Sequence, residues 1–170
     1  MVMESTPPVD ADIYREGMRF LASGVSIIAT ELEGKRVGLT ATAVSSITTD
    51  PAQLMVCVNQ NASAHDSIIQ AGRLSVNVLP AECENVAQRF AGMGPLETST
   101  GSGRFEIANW RTGSNGVPVL YEALVCFECR IVETKAIATH TAFLCEVVGV
   151  VTAGKREKPL IYFDGGFAHH

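Results

Sequence analysis

Strand-type segments succeed one another through most of this chain, and the helical stretches between them are few and short. That order constrains the fold more than any one motif. "GVSIIAT" (24–30) has the content of a strand, and "ELEGKRVG" supplies a hairpin turn at Gly34-Lys35. "QLMVCVN" (53–59) and "RLSVNVL" (73–79) are apolar runs of strand length, and strand patterns return at about 123–133, 140–152 and 159–163. Asp50-Pro51 and Asn115-Gly116 are turn formers. Among the helical patterns, the first starts at Asp10 or Asp12 and runs to about Ala22, with Ile13, Tyr14, Met18 and Leu21 near one face. Another spans 63–71, with Ser63 and Asp66 in a capping pattern and Gly72 at its end. A third covers 81–92 and closes at Gly92. Six or more strands with so little helix do not make alternating βαβ units. They predict a mainly β fold, an antiparallel barrel, with helices 63–71 and 81–91 packed outside it or over an opening.

A chain of 170 residues fits one domain, expected over 11–170. Residues 1–10, with two prolines and no signal pattern, read as a mobile tail. The Gly-, Ser- and Thr-rich stretch 92–104 reads as a long functional or mobile loop. Charged residues make up only 18%, which suggests surface buried in an oligomer. The net charge is -5, and the Lys and Arg residues are scattered apart from a small cluster at Lys155–Lys158. That pattern does not suit nucleic acid or an anionic membrane as partner. No apolar run is long enough to span a bilayer.

Five cysteines at wide spacing fit reduced, buried thiols in a cytoplasmic protein. Cys126 and Cys129 form a CxxC, but they lie in the strand-like "ALVCFECRIVET". Residues three apart on a strand point to opposite faces, so no metal site is expected. No complete G-x-G-x-x-G or Walker loop occurs.

"GLTATAVSSITTDP" (38–51) is unusual for a strand. Leu39, Ala41, Ala43 and Ser45 would point one way, and Thr40, Thr42, Val44 and Ser46 the other. A planar ring could approach the small face, with hydroxyls and main-chain N–H groups of 42–46 reaching its edge. The alternative is a half-exposed strand against another backbone. In "VNQNASAHDSII", Asn59, Ser63 and His65 flank the first turn of a helix, where free N–H groups attract phosphate. Equally, Ser63 caps its own helix and His65 is a surface residue. Arg89 complements a helix C-terminus or reaches a phosphate. Asn77, in an apolar strand, needs partners from a ligand or from a neighbouring loop. His140 has no motif-placed nucleophile or carboxylate beside it, so a hydrolytic triad is unsupported.

Taken in order, "GLTATAVSSITTDP", "CVNQNASAHDSI", "RLSVNVL" followed by "AQRFAG", "GRF", "THTAFLCEV" and "PLIYFDGG" resemble the flavin reductase-like family over nearly the whole chain, from about Tyr14 to Phe167. The resemblance implies an FMN-binding split β-barrel and an NAD(P)H:flavin oxidoreductase. Hydride would pass from NADH or NADPH to FMN or FAD, and reduced flavin would supply a partner monooxygenase. It also implies a homodimer. By the same resemblance, Thr40, Thr42, Ala43, Val44, Ser45 and Ser46 hold the ring and ribityl chain. Asn59, Ser63 and His65 meet the phosphate or its adenylate extension, while Asn77, Val78, Leu79 and Arg89 complete the pocket. His140 seats the nicotinamide and is the catalytic position, with Tyr162 and Asp164 closing that side. Family members often carry Gly where this chain has Ala138, and Arg with an aromatic where it has Gly165-Gly166-Phe167. The terminal His169-His170 pair is given no role. Two other readings stand beside the enzyme: a flavin carrier or electron-transfer module, and a β-barrel partner module without flavin.

Overall fold

The computed structural model describes residues 6–93, 101–154 and 157–169. Expectations for residues 1–5, most of the 92–104 loop, the first half of the Lys155–Lys158 cluster and His170 lie outside the described residues.

Helix α1 (Ala11–Arg19) begins where Asp10 accepts a hydrogen bond from the Asp12 N–H at 2.8 Å, and it stops short of Ala22. None of its residues is buried. The strands that follow are β1 (Ser23–Gly24), β2 (Ser26–Leu32), β3 (Lys35–Ala41), β4 (Val44–Thr49) and β5 (Ala52–Asn59). Turning β2 into β3 takes two residues of positive φ, Glu33 (52°) and Gly34 (76°), one position earlier than the sequence suggests. Helix α2 is His65–Ala71, and β6 is Arg73–Val78. Ser63 does not cap α2: Ala64 holds the cap position and no side chain bonds there. The expected helix 81–92 is a 3-10 turn, Ala81–Cys83, followed by α3 (Glu84–Phe90). A further 3-10 segment covers Gly101–Ile107, overlapping the end of the stretch read as loop. The remaining strands are β7 (Trp110–Thr112), β8 (Pro118–Leu120), β9 (Val125–Ile137), β10 (His140–Thr152), β11 (Leu160–Phe163) and β12 (Gly166–His169).

Seven strands form one antiparallel sheet in the order β3-β2-β6-β9-β10-β5-β4. Its two outermost strands, β3 and β4, are consecutive in the chain and joined only by Thr42 and Ala43. A flat sheet would hold them about 29 Å apart, at about 4.8 Å per strand. The short linker reaches only about 11 Å. The sheet therefore curls until its margins approach each other, as a split barrel does.

Alternation then separates two cores. Ile28, Leu54, Val56, Val58, Leu74, Val76 and Phe143 point inward, and Ala64 and Ile68 of α2 join them. Ile27, Ala29, Leu79 and Leu120 point outward and are covered by Val86, Ala87 and Phe90 around α3. Phe90 is 1% exposed and packs edge-on to Phe105 at 5.0 Å, with Trp110 at 5.4 Å. Gly38 lies against that ring, where a Cβ would come within 2.9 Å of both the ring and the Ile28 carbonyl. A small sheet, β1-β11-β12, joins the barrel where the Leu160 N–H donates to the Leu79 carbonyl at 2.9 Å.

Cys126 and Cys129 diverge as strand alternation requires. Cys129 belongs to the inner core, while Cys126 lies opposite Asn77, whose other neighbour is outward-facing Ile27. Burial pushes the Cys126 thiol up to about 12, consistent with an inert core group.

Candidate functional site

The segment 38–51 is not one strand. Its pleat breaks at Thr42-Ala43, so the two faces expected of it do not exist as continuous surfaces. Leu39 and Ala41 pack with the inner core. Thr40 lies beneath α3, where its hydroxyl donates to the Ala87 carbonyl at 2.6 Å. Past the break, Thr42, Ala43, Ser45 and Ser46 are exposed and Val44 is half-buried. Ser45 lies opposite Met55, pointing away from the core, whereas Val44 and Ser46 lie opposite Val56 and Leu54 on the inward side. The Ala43 carbonyl accepts from the Cys57 N–H at 3.0 Å.

Residues directly opposite in an antiparallel pair share a face. Met55, Cys57 and Asn59 of β5 therefore share the outer face with Leu144, Ala142 and His140 of β10. The result is a patch with small side chains at its centre, Cys57 and Ala142, bordered by Ser45 on one side and by Asn59 and His140 at the end. Cys57, Ala142 and the adjoining Gln60 were not singled out from the sequence. Only strand register brings them here, and no local motif signals it.

At the end of the patch the Gln60 amide donates to the His140 carbonyl at 3.1 Å, and the Gln60 N–H donates to the Thr139 carbonyl at 3.0 Å. His140 is exposed, with Nδ1 2.9 Å from the Thr139 hydroxyl. Ser63 is also exposed. His65 is neither a surface residue nor open to a ligand. It is 7% exposed, with Nε2 2.9 Å from the Thr141 hydroxyl and Nδ1 2.8 Å from the Asp66 carboxylate. It ties the first turn of α2 to β10, next to His140.

The other predicted residues lie apart from this patch. Asn77 is fully buried, and strands rather than a loop satisfy it: its amide donates to the Ile27 carbonyl of β2 and the Ser75 hydroxyl of β6, and its oxygen accepts from the Leu120 N–H of β8 at 2.8 Å. Both amide hydrogens are used, and full burial keeps a ligand from reaching the oxygen. Leu79 is fully buried, and the half-buried Val78 accepts from the Leu124 N–H through its carbonyl. Arg89 is half-buried near the end of α3. Tyr162 lies opposite Ser23 and packs on Phe167 at 5.5 Å. Asp164 sits at the β11–β12 turn, where its carboxylate and carbonyl accept from Arg19, both at 3.0 Å, and its N–H donates to the Arg19 carbonyl. The carboxylate raises the Arg19 pKa above its ordinary value.

Two cavities lie elsewhere. One of about 550 Å³ is bounded by Pro80, Cys83, Arg111, Leu120, Glu122 and Thr152. A second, of about 390 Å³, lies between α1 and the β11–β12 turn, and Tyr162 is the one predicted site residue on either lining.

A curled antiparallel sheet, with α2 against its inner core and α3 over part of its outer face, is a split β-barrel. The flavin reductase like domain model matches residues 18–169, and the chain belongs to that family. It is 44% identical to "FMN reductase (NADH) RutF" of Methylorubrum populi over 161 residues, 95% of this chain and 77% of the relative. The Streptomyces globisporus NADH:FAD oxidoreductase SgcE6 superposes with a TM-score of 0.84 at 26% identity, over 98% of this chain and 97% of that one. BorF, the flavin reductase component of a bacterial two-component tryptophan halogenase, superposes with a TM-score of 0.84 at 25% identity, over 94% and 98%.

Proposed function

We propose that the chain is an NADH-dependent flavin reductase that lays FMN on the outer patch of β4, β5 and β10. The observation that carries this reading is the small, flat centre formed by Cys57 and Ala142 between Ser45 and the Asn59–His140 end. Side chains of that size admit a planar ring close to the sheet, and the polar groups lie at its edge. Flavin and nicotinamide, when bound, supply the hydride exchange between them. The protein's part is to stack and orient them. Main-chain groups at Ala43, with the Ser45 hydroxyl, would face the ring edge, and Asn59 and exposed Ser63 the phosphate. His140 would seat the nicotinamide. Thr40, His65, Asn77 and Leu79 support the walls from beneath rather than touching the ligand.

FAD as an alternative flavin, NADPH as an alternative donor, a cytoplasmic location and an oxygenase that accepts the reduced flavin belong to the same proposal. So does a homodimer, supported by exposed Ile13, Tyr14, Met18, Phe20 and Leu21 at the α1 end and tested by light scattering. An anaerobic assay crossing NADH and NADPH with FMN, FAD and riboflavin tests the activity, with NADH and FMN expected to turn over. Flavin quenching without NADH oxidation would leave a carrier. Absence of quenching would remove flavin altogether.

Ala43→Leu tests the place of the ring. Ala43 is exposed, so the longer side chain leaves the barrel intact but occupies the space beside Cys57. FMN affinity is expected to fall at least tenfold with an unchanged melting curve. Wild-type affinity in this variant would put the ring elsewhere.

A further inference from the structure

Strand β9 carries an irregularity that changes which residues meet the patch. Leu144 lies opposite Glu133, yet Cys145 lies opposite Ile131, so Val132 is an extra residue. Ile131 and Cys145 face the inner core. Unbroken alternation would send Glu133 and Lys135 inward behind Ile131. The bulge instead turns Glu133, Lys135 and Ile137 outward with Leu144, Ala142 and His140, which is how bulges re-aim side chains.

Lys135 thus extends the central row of the patch: Cys57, Ala142 and Lys135 lie side by side on β5, β10 and β9. The nearest outward cation on the same strand, Arg130, is paired with Glu146 directly opposite it on β10. Glu133 stands one row further along, between that pair and Lys135. The Lys135 side chain is exposed and makes no hydrogen bond or ion pair with a described residue. Its Cα is about 5 Å from that of Ala142, so a side chain about 6 Å long brings the ammonium over or beside the patch.

We propose that Lys135 is a phosphate-binding residue of this nucleotide site, acting as a mobile point charge. This rests on the flavin reading above. The anion is a nucleotide phosphate, either that of the flavin or that of the nicotinamide dinucleotide. A structural role competes with it. Strand pairing of β9 with β6 ends at Arg130, and the Ile131 N–H still donates to the Gly72 carbonyl; past Ile131 no described strand pairs with that side of β9, and a lysine on such an edge discourages pairing with other chains.

The test compares wild type, Lys135→Met and Lys135→Arg. Fluorescence titrations give affinities for FMN and riboflavin, and turnover gives the apparent KM for NADH. If the flavin phosphate is the anion, Lys135→Met weakens FMN about tenfold and leaves riboflavin unchanged. If the nicotinamide dinucleotide supplies it, both flavin affinities hold and KM for NADH rises about tenfold. In either case Lys135→Arg restores most of the loss, and the effect shrinks with added salt. Unchanged affinities and KM in Lys135→Met, with or without new self-association, overturn the proposal and leave the edge role. A wild-type protein that quenches neither flavin would instead bring down the flavin reading itself, and this proposal with it.

Discussion

His140→Ala is expected to slow flavin reduction about a hundredfold, raise KM for the nicotinamide and leave flavin affinity nearly unchanged. The size follows from positioning: misplacing a hydride donor by about an ångström costs on that order. No proton need move through the imidazole, because hydride transfer to flavin N5 does not require one in the same step. The structure also separates this outcome from a folding defect. The side chain is exposed, and its one described bond is to the adjacent Thr139 hydroxyl. The bond that anchors the strand start runs from Gln60 to the His140 main-chain carbonyl, which alanine keeps. Loss of the imidazole therefore leaves no buried void, and the melting temperature should stay within a few degrees. Stopped-flow reduction and a melting curve on one sample check both halves. Normal reduction kinetics in a folded variant would remove His140 from the site.

Phe90→Ala is expected to destabilise the fold by about 3–5 kcal/mol. The ring is 1% exposed and fills the space between Gly38, Phe105 and Trp110. Each of those neighbours is fixed by other contacts, so the void cannot close cheaply. For a chain of this size the melting temperature would drop by roughly 6–20 °C. Urea unfolding provides the comparison, and a loss under 1 kcal/mol would show that α3 is not bound to the sheet through this residue. Since α3 also takes the Thr40 hydroxyl on its Ala87 carbonyl, a loosened helix should free the end of β3 next to Thr42-Ala43.

The fold class was legible because it rests on counts and order: many strand-length runs, few helices, hairpin turns at the right intervals. Positions within strands were harder to read. An alternation rule carries across a segment only while the pleat is unbroken. One two-residue break at Thr42-Ala43 moved Thr40 under α3 and sent Ala41 inward while Ser45 points out. One extra residue at Val132 reversed the facing of Lys135. Neither leaves a mark in residue type. In the sequence Asn77 reads as a polar residue that needs partners, and His65 as a phosphate contact or a surface residue. That Thr141 meets His65 and that β2, β6 and β8 satisfy Asn77 depends on long-range register. Cys57 and Ala142 drew no attention because small side chains acquire meaning only as neighbours.

The strand order has a consequence for how the chain is made. The long hairpin β9–β10 does not add to the margin of the sheet. It slots into the middle, with β6 on one side and β5 on the other. When a ribosome has released the chain only as far as α3, β5 and β6 are both present and both lack their central neighbours. The half-made protein then displays two raw strand edges lined with Val and Leu, the kind of surface that captures other nascent chains. Translation of β9 and β10 closes both, so a pause between α3 and β9 is the moment of greatest hazard in this protein's synthesis.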